Sequence, residues 1–310
     1  MSQDAILIEN LTKKYEERRA DSSFLALNDL NLKIPQGSIF GLLGPNGAGK
    51  STLINILAGT VVMTKGQVSI MGTDIVEYPK KAKSLIGIVP QEVVYDTFFP
   101  IEQALEFTAG YYGVPKGERK TAEILKALGL WDKKKSFPQQ LSGGMKRRFL
   151  IAKAMVHSPK VLVLDEPTAG VDIELRNQLW EYVVELNKGG MTIIITTHYL
   201  AEAQELCDEI AFINKGRIIK QDTKANLLSD LGTRHIDIEF NNDVVRDNLK
   251  ISSEFEYEII ADNKVRFQLN SEENNYTNLL KQISSTDVDI KDIRVSQPDL
   301  EKIFHEIMRD

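Results

Sequence analysis

Gly44-Pro45-Asn46-Gly47-Ala48-Gly49-Lys50-Ser51-Thr52 sets three glycines ahead of a lysine and two hydroxyls, between the apolar run Ser38 to Leu43 and the helix-like stretch Thr52 to Ala58. Glycine lets the backbone curl so that successive N–H groups point inward, and the following helix adds its positive end, which together make a cage for phosphate. Lys50 would reach the β- and γ-phosphates of a nucleoside triphosphate, and the Ser51 hydroxyl stands where a bridging Mg²⁺ needs a ligand. A purely structural glycine turn is the competing reading. The location between a strand and a helix, which the phosphate mechanism requires, speaks against it.

Two further groups complete a hydrolytic set. Val161-Leu162-Val163-Leu164 reads as a strand buried on both faces, and it delivers Asp165 and Glu166 at its carboxyl end, where open α/β sheets bind ligands. Asp165 suits a Mg²⁺ shell and Glu166 suits polarising an attacking water, although a carboxylate there could also be a helix cap or plain surface. Thr192 to Thr196 form another buried strand that ends at Thr197-His198. Alone, His198 reads as a core or surface histidine; beside a nucleotide it becomes a sensor of the γ-phosphate. Leu141-Ser142-Gly143-Gly144-Met145 opens a helix towards His157, with Ser142 as N-cap and two glycines leaving the free N–H groups uncovered. This second anion-attracting helix start is superfluous to the chain's own phosphate loop. Tyr15 precedes a polar tip, where a ring could stack on adenine or simply occupy a sheet edge.

The elements that must position these groups alternate along the chain. Ala5 to Leu11 and Phe24 to Ile34 read as strands joined by a tip over Glu16 to Ser23, and Gln67 to Met71 with Leu85 to Val89 are expected to complete a first α/β layer. From Ile101 to Leu130 helical spacing takes over, broken by Gly113, Pro115 and Gly117, as a helical insert. Leu175, Leu179, Val183 and Leu186 mark a helix that Gly189-Gly190 ends, and a hairpin turns at Lys215-Gly216. Asp222 to Asp230 predicts a short helix. Beyond Leu231-Gly232-Thr233 the pattern alternates, as in Ile236-Ile238-Phe240 and Val265-Phe267-Leu269, with helices expected at Tyr276 to Ile283 and Leu300 to Met308.

With 310 residues, 42% of them apolar and 26% charged, the chain is an ordinary globular balance long enough for a large domain and a small one. No window approaches the ~18 apolar residues of a membrane span, and Met1-Ser2-Gln3-Asp4 lacks the features of a signal peptide, so a cytosolic protein is expected. Net charge is −6: residues 231 to 310 carry 10 basic against 17 acidic residues, which leaves +1 for the rest. Neither part has the basic surplus of a nucleic-acid binder. The single cysteine, Cys207, excludes an internal disulfide and reads as a small buried apolar residue. His157, His235 and His305 are isolated from these motifs.

Gly44 to Thr52, Gln91, Leu141 to Met145, Val161 to Glu166, Ala169 to Asp172 and His198 closely resemble the ATP-binding subunits of ABC transporters, in that family's order and spacing over about residues 5 to 230. There they are the Walker A loop, Q-loop, signature motif, Walker B strand, D-loop and switch histidine. The resemblance implies an α/β P-loop NTPase fold of the ABC type over residues 1–231, with a mixed sheet core, an N-terminal antiparallel β-subdomain and a helical subdomain over about 92–158. Residues 232–310 would form a small α+β domain that braces a dimer or regulates it. It also implies a homodimer that sandwiches two ATP, so that Ser142, Gly143 and Gly144 of one copy close on the γ-phosphate held by Lys50 of the other. Position by position, Tyr15 stacks on adenine, Ser51, Gln91 and Asp165 serve Mg²⁺, Glu166 is the general base, His198 contacts the γ-phosphate and Asp172 links the two sites. Gln91 begins the helical insert, which in the family receives a separate transmembrane permease, and the chain would sit on the cytoplasmic face of the membrane.

Leu141 to Arg148, Thr168 to Asp172, Thr197 to Leu200 with Glu202-Ala203, and Leu300-Glu301-Lys302-Ile303-Phe304 are similar to the drug- and lipid-exporter branch, of the daunorubicin-resistance type. The signature ends in Met145 where the family has Gln, and the segment between Tyr15 and Leu27 is longer than usual. Lys146-Arg147-Arg148 reads as a solvated helix face. The alternative function is a soluble ABC-type ATPase acting on ribosomes or nucleic acid, a class that shows paired ATPase halves, coiled-coil insertions or basic extensions. A nucleotide-binding regulator without turnover would lack Glu166 or His198.

Overall fold

A computed structural model of the chain describes residues 4–16, 23–91, 98–168, 173–197, 199–230, 233–241, 255–270, 276–284, 289–296, 300–301 and 304. The chain divides into two compact units between Thr223 and Lys224.

The first unit opens with β1 (Asp4–Glu16) and β2 (Ser23–Pro35), paired antiparallel with Ile8 opposite Leu32 and Tyr15 opposite Phe24. β3 (Ile39–Leu43) runs into the glycine-rich loop and α1 (Lys50–Leu57). β4 (Lys65–Ile70) and β5 (Thr73–Asp74) complete a four-stranded antiparallel sheet in the order β2-β1-β4-β5. After α2 (Pro79–Leu85) and β6 (Ile86–Val89) come α3 (Ile101–Tyr111), α4 (Thr121–Ala127) and α5 (Gly143–Met155). β7 (Val161–Asp165), α6 (Ile173–Lys188), β8 (Thr192–Thr197) and α7 (Leu200–Leu206) follow, before the hairpin of β9 (Glu209–Asn214) and β10 (Arg217–Thr223). The second sheet has the order β10-β9-β3-β8-β7-β6, parallel from β9 to β6 and antiparallel only at the hairpin.

Every residue of β3, β7 and β8 is buried, which is why their sequences are continuous rather than alternating apolar runs. The parallel register sets Leu43 beside Thr197 and Asp165 beside Thr196, so the chemistry-bearing ends of three strands meet at one edge. Behind them, Leu53 and Leu57 of α1 join Ile8 and Leu30 of the antiparallel sheet and Phe40, Val163 and Ile194 of the parallel one in a single core. Each such side chain contributes about 1.5–3 kcal/mol by leaving water, so the loop at the foot of α1 is anchored on both sides.

The runs Gln67 to Met71 and Leu85 to Val89, expected in one layer, enter different sheets: the first becomes β4 of the antiparallel sheet, the second the edge strand β6 of the parallel one. A short apolar run does not encode its partner. α2 was not apparent in the sequence because only Ala82 of its seven residues is buried; Pro79 starts it with a preset φ. Cys207 is buried, at 1% exposure.

The second unit comprises α8 (Lys224–Asp230), β11 (Thr233–Phe240), β12 (Glu256–Ala261), β13 (Lys264–Asn270), α9 (Tyr276–Ser284) and β14 (Ile290–Ser296), with the antiparallel order β12-β13-β11-β14. Asp222 and Thr223 finish β10, so the helix predicted from Asp222 starts at Lys224. Ile236, Ile238, Val265 and Phe267 alternate onto one face, where Leu279 and Ile283 of α9 cover them. The other face carries Asp237, whose carboxylate accepts from Arg266 at 2.7 and 2.9 Å. This pairing holds Asp237 below the usual carboxylate pKa. Among the described residues no helix is long and apolar enough to cross a membrane.

Candidate functional site

The glycine-rich loop is built by close approach. A Cβ on Gly44 would lie 2.2 Å from the Ile213 carbonyl oxygen, and Gly49, the N-cap of α1 at φ 112°, stands in a backbone conformation that side-chain-bearing residues rarely adopt. Gly216 on the β9–β10 turn donates its N–H to the Ala48 carbonyl at 2.9 Å and pins the loop from outside. Lys50 is buried at 6% exposure, and its Nζ donates to Gly44 O at 2.6 Å and Pro45 O at 3.1 Å, spanning the loop from end to start. Burial lowers its pKa, while the carboxylates of Glu166 and Asp165 act in the opposite sense.

Asn46, Lys50, Ser51, Thr52, Gln91 and Glu166 line one cleft, so the structure brings together residues separated by 120 positions in sequence. Gln91 Nε2 donates to Glu166 Oε2 at 2.9 Å. Glu166 has φ 44°, a left-handed conformation that costs a non-glycine residue about 1–2 kcal/mol. Its N–H is captured by both the carbonyl and the hydroxyl oxygen of Thr196, each at 3.1 Å. The same hydroxyl donates to Asp165 Oδ1 at 2.5 Å, so one β8 threonine orders both acids. Burial pushes the Asp165 carboxyl pKa up, and the Thr196 hydrogen bond counters it.

Ser142 is the N-cap of α5, with its hydroxyl accepting from the Met145 N–H at 3.3 Å, so the residue that departs from the family pattern contributes its backbone here. Ser142 and Gly143 are exposed and Gly144 buried. None of the three lines the phosphate cleft of its own chain. Asp172 and His198 lie outside the described residues; Thr168 and Ile173 flank the first gap, and Thr197 and Tyr199 the second.

Three residues escaped the sequence reading of the site. Glu202, 4% exposed on α7, accepts from Thr168 Oγ1 at 2.7 Å and Thr197 Oγ1 at 3.0 Å, tying together the approaches to residues 169–172 and 198. Phe24, 58% exposed, is the cross-strand partner of Tyr15 and lines the cleft, whereas Tyr15 itself is 37% exposed with Lys13 Nζ over its ring at 4.6 Å. An aromatic at the far side of the tip that Tyr15 begins was the available signal. The third is Arg147. The expectation of a solvated Lys146-Arg147-Arg148 face fails, because Arg147 is 5% exposed and Arg148 Nη1 donates to Leu128 O at 3.0 Å. Helical periodicity turns Arg147 inward on the same helix that Ser142 caps.

A family model described as ABC transporter matches residues 27–169. A linearmycin-resistance ATP-binding protein of Bacillus subtilis is 35% identical over 305 residues, 96% of each chain. A daunorubicin-resistance ATP-binding protein of Streptomyces coeruleorubidus is 33% identical over 240 residues, 77% of this chain and 74% of the relative. Among solved structures, a dimeric post-hydrolysis ATP-binding cassette bound to ADP and Pi matches with TM-score 0.64 and 25% identity, over 71% of this chain and 98% of that one. A phosphate cage facing two strand-end carboxylates defines a P-loop nucleotide-hydrolysing fold. The chain belongs to the ATP-binding subunits of ABC transporters, and it is an ATPase.

Proposed function

We propose that the chain powers a membrane exporter by hydrolysing ATP between two copies of itself, on the cytoplasmic face of the membrane and docked on a separate transmembrane subunit. In each site the loop from Gly44 to Thr52 holds the phosphates, with Pro45, Asn46, Gly47, Ala48 and Gly49 supplying the curl of N–H donors and Lys50 the positive charge. Glu166 takes the proton of the attacking water as general base, and Gln91 orients that carboxylate. Ser142, Gly143 and Gly144 close from the second copy, His198 contacts the γ-phosphate and Asp172 joins the two sites.

Ser51 Oγ, the Gln91 side-chain carbonyl and the Asp165 carboxylate would hold Mg²⁺. These are hard oxygen donors, and among the described residues no cluster of three or more His, Cys, Asp or Glu side chains forms a closed cage. Such a set fits an ion that takes its other ligands from phosphate and water. When bound, Mg²⁺ neutralises charge on the phosphates.

The observation that carries the coupling is the Gln91–Glu166 hydrogen bond, because Gln91 stands where the parallel sheet hands over to the helical part of the chain. That part presents an apolar groove lined by Phe99, Phe107, Tyr111 and Tyr112, with Phe107 51% and Tyr111 91% exposed. An exposed aromatic cluster of this kind marks a protein contact. The exporter reading rests on the relatives named for linearmycin and daunorubicin resistance.

Affinity capture of the tagged full chain from detergent-solubilised membranes should recover a polytopic membrane protein, and Tyr111→Asp with Phe107→Asp should release it without changing ATP binding. Recovery of ribosomes or nucleic acid alone would overturn the exporter assignment. For adenine, Tyr15 and Phe24 form an aromatic pair across the strand register. Alanine at either position is expected to weaken ATP binding about 5–150-fold, the range that loss of a base–aromatic stack implies, as read by titration calorimetry. An unchanged Kd in both variants would remove the pair from the adenine site.

A further inference from the structure

Arg147 is a buried cation that, among the described residues, has no carboxylate for a hydrogen-bond acceptor. Its Nε donates to Pro167 O at 2.8 Å, its Nη1 to Pro90 O at 3.0 Å and Gln91 O at 2.9 Å, and its Nη2 to Asp165 O at 3.4 Å and to Glu166 O in a shorter contact. A guanidinium has five N–H donors in a rigid plane, and here all of them end on main-chain carbonyls. These carbonyls belong to two segments: the end of β7 with the turn that follows it, and the residues just after β6. Burial lowers the Arg147 pKa, and the Asp165 and Glu166 charges oppose that shift.

The five acceptors are not a random sample of backbone. Pro90 and Gln91 hold the side chain that bonds Glu166, while Asp165, Glu166 and Pro167 form the turn in which Glu166 takes its left-handed conformation at φ 44°. Such a conformation persists only where the surroundings over-determine it. Thr196 secures the N–H side of Glu166, and Arg147 secures the carbonyl side. We infer that Arg147 is the positioning residue of the hydrolytic centre: one guanidinium fixes the Glu166 backbone and the Gln91 backbone relative to each other. Because Arg147 projects from α5, whose N-cap is Ser142, the same side chain joins that helix start to the base of its own chain. This inference rests on Glu166 as the base. It assigns Arg147 no contact with nucleotide.

A lysine carries three N–H donors on one nitrogen, too few and too closely placed to replace the five donors of the planar guanidinium, and alanine leaves all five carbonyls unserved. With purified full-length protein, Arg147→Lys and Arg147→Ala should bind ATP with a Kd within about twofold of the parent, because the cage around Lys50 is untouched, while kcat falls about 10–100-fold, the scale of a small misplacement of reacting groups. Guanidinium ion at millimolar concentration should restore part of the turnover of Arg147→Ala and none of that of Arg147→Lys. Should Arg147→Ala fail to bind ATP, Arg147→Lys alone decides the question. A kcat within about twofold of the parent, a kcat loss matched by an equal loss of ATP affinity, or no rescue of an ATP-binding Arg147→Ala would each overturn the positioning role. Glu166→Gln assayed in parallel separates the two ideas: if it turns over normally the base assignment fails, and if it is inactive while Arg147→Lys is normal only the present inference fails.

Discussion

Glu166→Gln is expected to bind ATP with parental affinity and to lose turnover by about 10²–10⁴-fold, the usual contribution of a positioned general base. The substitution keeps the shape of the side chain and an oxygen for the Gln91 Nε2 donor, so the 2.9 Å contact survives while the proton acceptor is lost. With hydrolysis blocked, ATP-bound dimers should accumulate, which size-exclusion chromatography in ATP reads directly. The same separation in ADP should return the monomer. Turnover near the parental rate would remove Glu166 from the base role.

The second large effect concerns where each site's parts come from. Ser142 and Gly143 are exposed, and neither they nor Gly144 line the cleft that holds Lys50 in their own chain. Lys50→Ala and Ser142→Arg are therefore each expected to be inactive when pure, the first for want of the phosphate-binding cation and the second because a bulky side chain obstructs the helix start. Mixed in equal amounts they should recover up to about a quarter of parental turnover, because half of the randomly formed dimers are mixed and one of their two symmetry-related sites is whole. A chain that hydrolysed ATP alone would show no such recovery. A Ser142→Arg protein with parental activity would likewise refute a shared site.

Much of the site was legible in the sequence for a definite reason. A phosphate loop works through its backbone and its position between a strand and a helix, and Gly44 to Thr52 state both locally. Asp165 and Thr197 could be read as strand-end residues because Val161-Leu162-Val163-Leu164 and Thr192 to Thr196 are too apolar for any location but a doubly covered sheet. Arg147 shows the opposite case. Helical spacing from Gly144 through Arg147 to Ile151 could have placed that arginine on the inner face, but nothing in the sequence shows what it meets there, since the carbonyls arrive from 57, 56, 18, 19 and 20 residues away.

Glu202 and Phe24 illustrate the same boundary. A glutamate on a short helix reads as solvated until Thr168 and Thr197 are brought against it, and Phe24 gains its meaning only from the register that sets it opposite Tyr15. The two similar apolar runs that became β4 and β6 parted because strand pairing depends on what other strands leave open. By itself, then, the sequence determined which groups could cradle phosphate, bind a cation and activate water, since spacing and residue type act over a few positions. The tertiary structure alone decided how those groups are held, because hydrogen bonds to distant carbonyls, cross-strand register and burial are properties of chain segments that meet only after folding.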